Sequence, residues 1–243
     1  MPFPQVLKCS TWAKIVPLVV VAVLVSRVPL FGAERAVTLA PPAIDNPKAP
    51  GPLETAVLSG GCFWGVQGVF QHVHGVKQVL AGYSGGDRST AQYETVSSGT
   101  TGHAESVKIT FDPAEITYGQ LLQIAFSVVL DPTQLNSQGP DEGTQYRSEI
   151  FYADDAQKRI ALAYIKQLDA SHAFAKPIVT RVDPLNGFFP AEAYHQDYLY
   201  LHPNQPYIAY NDIPKVNNFK QTFPTLYSPT PVLVNAGSPR PAD

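Results

Sequence analysis

The chain has 243 residues and a formal net charge of −3 at pH 7, from 17 Lys and Arg against 20 Asp and Glu. That balance excludes a broad cationic surface for nucleic acid, and 44% hydrophobic residues with 12 Tyr and 12 Phe suffice for one well-filled core. There are two cysteines, Cys9 and Cys62, and 23 prolines gathered toward the ends and the loops.

The N-terminal segment reads as separate from the fold. Lys8 and Lys14 precede an apolar run from Ile15 to Val25. A basic stretch followed by about ten apolar residues is the pattern of a secretory signal. The run is short for a membrane span, which needs about 20 apolar residues. No A-x-A cleavage site follows, and Arg27 is succeeded by more apolar residues, so an uncleaved membrane anchor is the alternative and a buried helix a third. The expected location of the folded part is outside the cytoplasm, periplasmic or secreted. Membrane contact would run only through this segment. Cys9 precedes the run and does not fit a lipid-attachment site. The expected organisation is a signal or anchor over 1–36, a Pro-rich linker over 37–54, one domain over 55–227 and a Pro-rich tail over 228–243, as a monomer.

Within the domain the expected elements follow in order. "TAVLSG", from Thr55, is a short apolar strand. Residues 63–73 form a helix with Phe63, Val66, Phe70 and Val73 on one face. "VKQVLAGYSGG" is a strand ending in a Gly-rich turn. "ESVKITFD" alternates, with Val107, Ile109 and Phe111 on one side. "TYGQLLQIAFSVV" is a helix capped by Thr117. "SEIFYAD" is a strand, Asp154 caps a helix to about Asp169, and "IVTRVD" is again a strand. Helices interleaved with strands predict an α+β fold: a two-layer sandwich of helices on a mixed β-sheet with a ferredoxin-like core.

Cys62 stands between strand and helix in "SGGCFWG". A helix N-terminus favours the thiolate, the nucleophilic form of cysteine. Gly60 and Gly61 allow a tight turn that leaves the thiol open, whereas a free cysteine can also be a plain small hydrophobe. Phe63 fits the core face of the helix. Trp64 falls off it and suits the wall of an apolar pocket. Downstream, Glu105 opens a strand after the glycine-containing loop "SSGTTGHAE". An apolar pocket would keep its carboxyl protonated as a proton donor. The "HAE" triplet matches half of the zinc deaminase signature, but no cysteine follows Cys62 to complete that site. No other metal-ligand spacing is present. The polar stretch Asp131 to Tyr152 is long enough to be functional, with Asp141, Tyr146 and Arg147 as its candidates. His195, in "AEAYHQDYL", fits packing better than catalysis.

Together "GCFWG", "SGTTGHAE", "DPTQLNSQGPDEGTQYRS" and "FFPAEAYHQDYL" resemble, in order, the signatures of the A-type peptide methionine sulfoxide reductases, over about residues 55–227. The resemblance implies that Cys62 attacks the sulfoxide sulfur and Glu105 protonates the sulfoxide oxygen. Tyr93 and Tyr146 would hydrogen-bond that oxygen, Asp141 would order the polar side, and Phe63 and Trp64 would hold the S-methyl group. Oxidised methionine in proteins or peptides is the implied partner, without cofactor or metal. Many members carry a second cysteine in the C-terminal tail and pass a disulfide to thioredoxin. Positions 206–243 contain no cysteine here, which predicts a one-cysteine enzyme whose sulfenic acid is reduced by a thioredoxin-like protein or a small thiol. Two rival readings are a cysteine hydrolase, which needs a histidine base against Cys62, and a non-catalytic module that binds oxidised methionine.

Overall fold

The computed structural model describes residue 1 and residues 35–235. Cys9, the apolar run and the last eight residues of the tail lie outside the described residues. Among the described residues eight strands and six α-helices follow one another: β1 (Glu54–Ser59), α1 (Phe63–Gln71), β2 (Val76–Ser84), α2 (Tyr93–Val96), β3 (Ala104–Phe111), α3 (Tyr118–Ile124), β4 (Ser137–Gln138), β5 (Asp141–Glu142), β6 (Glu149–Tyr152), α4 (Asp155–Ala170), β7 (Arg181–Pro184), β8 (Phe188–Pro190), α5 (Tyr198–Leu201) and α6 (Ile213–Thr222). Six strands form one sheet in the order β7-β6-β1-β3-β2-β8, and β4-β5 is a separate small hairpin. The sheet is mixed, because β6 and β7 run parallel while the other pairs are antiparallel.

The alternation in β3 sets the two faces of this sheet. Val107, Ile109 and Phe111 join Ala56, Leu58, Val79 and Ala81 against α1, α3 and α4 in one large core cluster. The opposite face carries a small separate cluster of Val57, Ala104 and Phe151, covered by Leu185 and Phe188. α1 has only nine residues, too few to hold together alone in water. It persists because Phe63, Val66, Val69 and Phe70 are buried in the core, each worth roughly 1.5–3 kcal/mol of apolar burial. Gly65 is required on its other side: a Cβ there would lie 2.2 Å from Asp212 Oδ1.

The expected helix over 117–129 is α3 followed by a π-turn, Ala125–Val129. Thr117 caps α3 in a capping box with Gln120, and Asp154 caps α4 through Gln157 N. The expected strand over 178–183 begins only at Arg181. Residues 191–199 do not form one continuous helix, because Asp197 adopts a left-handed conformation, φ 59°. A 3-10 turn (Ala193–His195) precedes that break and α5 follows it. The elements α2, β4, β5 and β8 are too short to show periodicity, and α6, with Ile213, Val216 and Phe219 on one face, lies outside the expected elements.

The Pro-rich stretch before β1 is laid along α3 and α4. Gln123 Nε2 donates to Leu39 O, Tyr164 OH to Ala40 O and Gln167 Nε2 to Pro41 O. Asp45 accepts from Gly119 N at 3.0 Å and from Thr117 Oγ1, supplementing the cap of α3. Asp45→Ala is expected to lower stability by about 1–2 kcal/mol, read as a lower urea midpoint at unchanged slope. At the other end Ser228 N and Val232 N donate to the C-terminal carbonyls of α1, and Val234 N and Asn235 N donate to the Asp197 carboxylate. Among the described residues no helix is long and apolar enough to cross a membrane.

Candidate active site

The site forms where β1 hands the chain to α1. Gly61, φ 87°, makes the turn, and a Cβ there would lie 2.7 Å from Gln138 Cβ, so only glycine allows both the backbone and the packing. Cys62 is the N-cap of α1. It is the only cysteine among the described residues, and its thiol is free. β3 is paired with β1 up to Val107 opposite Leu58. Two residues from Val107, on the same face, Glu105 stands beside the glycine turn. Its Oε2 accepts from Phe63 N, at the head of α1, at 3.0 Å.

Cys62, Phe63, Trp64, Tyr93, Glu105, Asp141 and Tyr146 line one cavity of about 200 Å³, together with Tyr207. The seven residues to which the resemblance assigns roles therefore meet in one place, from α1, α2, β3, β5 and the 3-10 turn Thr144–Tyr146, whereas the candidate Arg147 does not line the cavity. Tyr207 escaped sequence reading because it lies in a polar, aperiodic stretch before the π-turn Ile208–Asp212. Its hydroxyl donates to Asp141 Oδ2.

Burial and the neighbouring acids favour the protonated forms of both Cys62 and Glu105. Glu105 is 3% exposed. Burial, with the Asp141 and Asp212 carboxylates nearby, raises it from 4.5 to about 8 against the opposing Phe63 N–H. The Cys62 thiol is also pushed up, first by burial and then by Glu105, Asp212 and Asp141, while the Trp64 N–H favours the thiolate. The helix N-terminus thus acts in the expected direction on Cys62 but is outweighed, because the thiol is 7% exposed and faces three acids. Burial raises Tyr93 and Tyr146 as well, so both hydroxyls remain hydrogen-bond donors.

The apolar wall is built around Trp64. Its ring stacks on Tyr198, with centroids 3.9 Å apart and an 11° interplanar angle, and meets Tyr207 edge-on. Its Nε1 donates to His195 Nδ1 at 3.1 Å. Burial lowers the His195 pKa, so the ring is neutral and carries its proton on Nε2. Glu192 sits behind this wall, accepting from Tyr93 N and Tyr83 OH. His195 braces Trp64 and is not among the residues lining the cavity. His103 is held by Gly86 N and Asp87 O. Neither is placed as the base that a cysteine hydrolase requires. Among the described residues no group of three or more His, Cys, Asp or Glu could hold a metal ion.

A buried thiol, a protonated carboxylic acid, two donor hydroxyls and an aromatic wall suit a small substrate with one polar oxygen and an apolar group. A family model described as peptide methionine sulfoxide reductase matches residues 54–226. The chain is 60% identical over 195 residues, 80% of its length and all of the relative, to peptide methionine sulfoxide reductase MsrA 2 of Mesorhizobium japonicum. It is 52% identical over 170 residues, 70% of its length and 79% of the relative, to MsrA 2 of Synechocystis. Among solved structures, methionine sulfoxide reductase A of Corynebacterium diphtheriae superposes with a TM-score of 0.55 at 31% identity, covering 72% of this chain and 89% of that one. The chain belongs to the peptide methionine sulfoxide reductase family.

Proposed function

We propose that the cavity reduces methionine-S-sulfoxide, free or in proteins, to methionine by oxygen transfer to Cys62. The carrying observation is the pairing of a free buried thiol with a protonated Glu105 at the head of one helix. The S-methyl group lies against Phe63 and Trp64, and the sulfoxide oxygen points to Glu105, Tyr93 and Tyr146. Asp141, held by Tyr207, orders the polar side.

The thiolate sulfur attacks the sulfoxide sulfur as Glu105 gives its proton to the oxygen. The S–S bond so formed and the substrate S–O bond then break as the protonated oxygen bonds to the Cys62 sulfur, leaving a sulfenic acid, and methionine departs with the two electrons. As Glu105 passes its proton to the substrate oxygen, its carboxylate becomes the acceptor for the Cys62 thiol proton, so the attacking thiolate forms in the same step and Glu105 ends it protonated again. Two external thiols then return Cys62–SOH to the thiol, yielding one disulfide and one water. A thioredoxin-like protein or a small thiol fits this step, since Cys62 has no second cysteine beside it among the described residues. The protein acts in repair of oxidised proteins, in an exported compartment to which the basic-apolar N-terminal sequence directs it. The antiparallel order β6-β1-β3-β2, with α1 and α3 in the two crossovers, supports a ferredoxin-like core beneath the site, in a two-layer sandwich.

A single turnover without reductant tests the reading. The full chain is mixed with excess sulfoxide peptide, and methionine and sulfenic acid are counted. About one methionine per chain with the sulfenic acid on Cys62 is expected. Several methionines per chain, or a second oxidised thiol, would overturn the one-cysteine cycle, and no methionine would overturn the reductase itself.

A further inference from the structure

Arg147 is 6% exposed and lines none of the catalytic cavity. Its guanidinium nevertheless binds the two loops that lead into the site. Nη2 donates to Gly102 O at 2.9 Å and Nη1 to His103 O at 3.1 Å, three and two residues before Glu105. The same Nη1 donates to Thr144 O at 2.8 Å, two residues before Tyr146. Nε donates to Glu149 Oε2, a carboxylate whose side chain is 2% exposed, on β6. Gly85 leaves the room: a Cβ there would lie 2.8 Å from Arg147 Nη2. Two further bonds stitch the same loops, Thr144 Oγ1 to Gly99 O and Gln145 Nε2 to Ser97 O, directly after α2, which carries Tyr93. The planar fork thus reaches three carbonyls on two chain segments, a geometry that a lysine ammonium cannot reproduce.

We infer that Arg147, anchored by Glu149, is a positioning residue that sets the distance between the proton donor Glu105 and the hydroxyl donor Tyr146. This inference rests on the reductase reading. It assigns the clamp to the polar half of the site alone: the apolar half, Phe63 and Trp64, is held by α1, Tyr198 and His195 on the other side. Loosening the clamp therefore slows oxygen transfer and leaves the seating of the S-methyl group in place. A groove of about 420 Å³, lined by Arg147, Glu149, Arg181 and Asp183, opens behind the guanidinium and gives a small cation access to its place.

The test compares Arg147→Lys, Arg147→Ala and Glu149→Gln with the wild type in single turnover, with folded fraction measured by thermal melting. In Arg147→Lys the rate at saturating sulfoxide peptide is expected to fall about 10- to 100-fold, the scale of a misplacement near 1 Å, while KM changes less than about threefold. Added guanidinium ion is expected to restore part of the rate in Arg147→Ala, saturably, and Glu149→Gln to show a smaller loss of the same kind. Wild-type rates per folded molecule, a loss confined to KM, or variants that all simply unfold would overturn the inference and leave Arg147 as a stability element. A wild type that makes no methionine would instead overturn the reductase reading.

Discussion

Cys62→Ser is expected to lower methionine formation by a factor on the order of 10⁴–10⁶, as when a covalent catalyst loses its nucleophile. The fold tolerates the change, because Ser is nearly isosteric with Cys and caps a helix better. The chemistry does not. The serine hydroxyl does not ionise near neutral pH, and the Cys62 site disfavours negative charge even for a thiol. Accepting the sulfoxide oxygen would also require an O–O bond where the thiol forms an S–O bond. Thermal melting close to the wild type, with no methionine in single turnover, is the expected pair of results. Methionine production at a substantial fraction of the wild-type rate would show that oxygen does not pass to residue 62.

Glu105→Gln is expected to slow the oxygen-transfer step about 10²- to 10⁴-fold, the usual contribution of a positioned acid. The amide keeps an oxygen for the Phe63 N–H bond, so α1 stays in place and the loss falls on the proton. In the wild type the rate falls as pH rises through about 8, where burial sets the Glu105 carboxyl. The groups facing it are Cys62, Asp141, Asp212, Tyr93 and Tyr146. The Gln variant loses that basic limb. Stability falls with rising pH as well. The folded carboxyl is raised from 4.5 to about 8, so between these values the native state binds more protons than the unfolded chain. Its contribution is therefore lost as pH rises across this window. Glu105→Gln removes the penalty, and its melting temperature relative to wild type is expected to rise from pH 5 to pH 9. A variant with wild-type rate, or with the basic limb intact, would assign proton donation to another group.

The legible parts of the chain were those whose signal is local. The 2-residue alternation of Val107, Ile109 and Phe111 marked β3, and Asp154 and Thr117 marked helix starts because capping uses side chains next to the backbone they bind. Cys62 was legible through its two preceding glycines. The broken helix around Asp197 was not, since its left-handed φ is stabilised by partners such as Gln71 and the backbone of 234–235. Nor was the docking of the Pro-rich stretch, whose Asp45 finds its partners at Thr117 and Gly119, more than 70 positions away. Tyr207 and Asp212 reach the site by the same kind of remote contact.

The sequence by itself singled out Cys62 and Glu105 as the candidate nucleophile and acid and set the order of the motifs, because chemistry demands particular residue types and turns demand glycine. It also set the order of most strands and helices. Only the tertiary structure decided the charge states. Helix position alone would lower the Cys62 pKa, but the surrounding core and three acids raise it, and the same burial converts Glu105 from a strand-end charge into a proton donor. Desolvation depends on what packs around a group from every direction, and that surrounding is assembled from segments far apart in the chain.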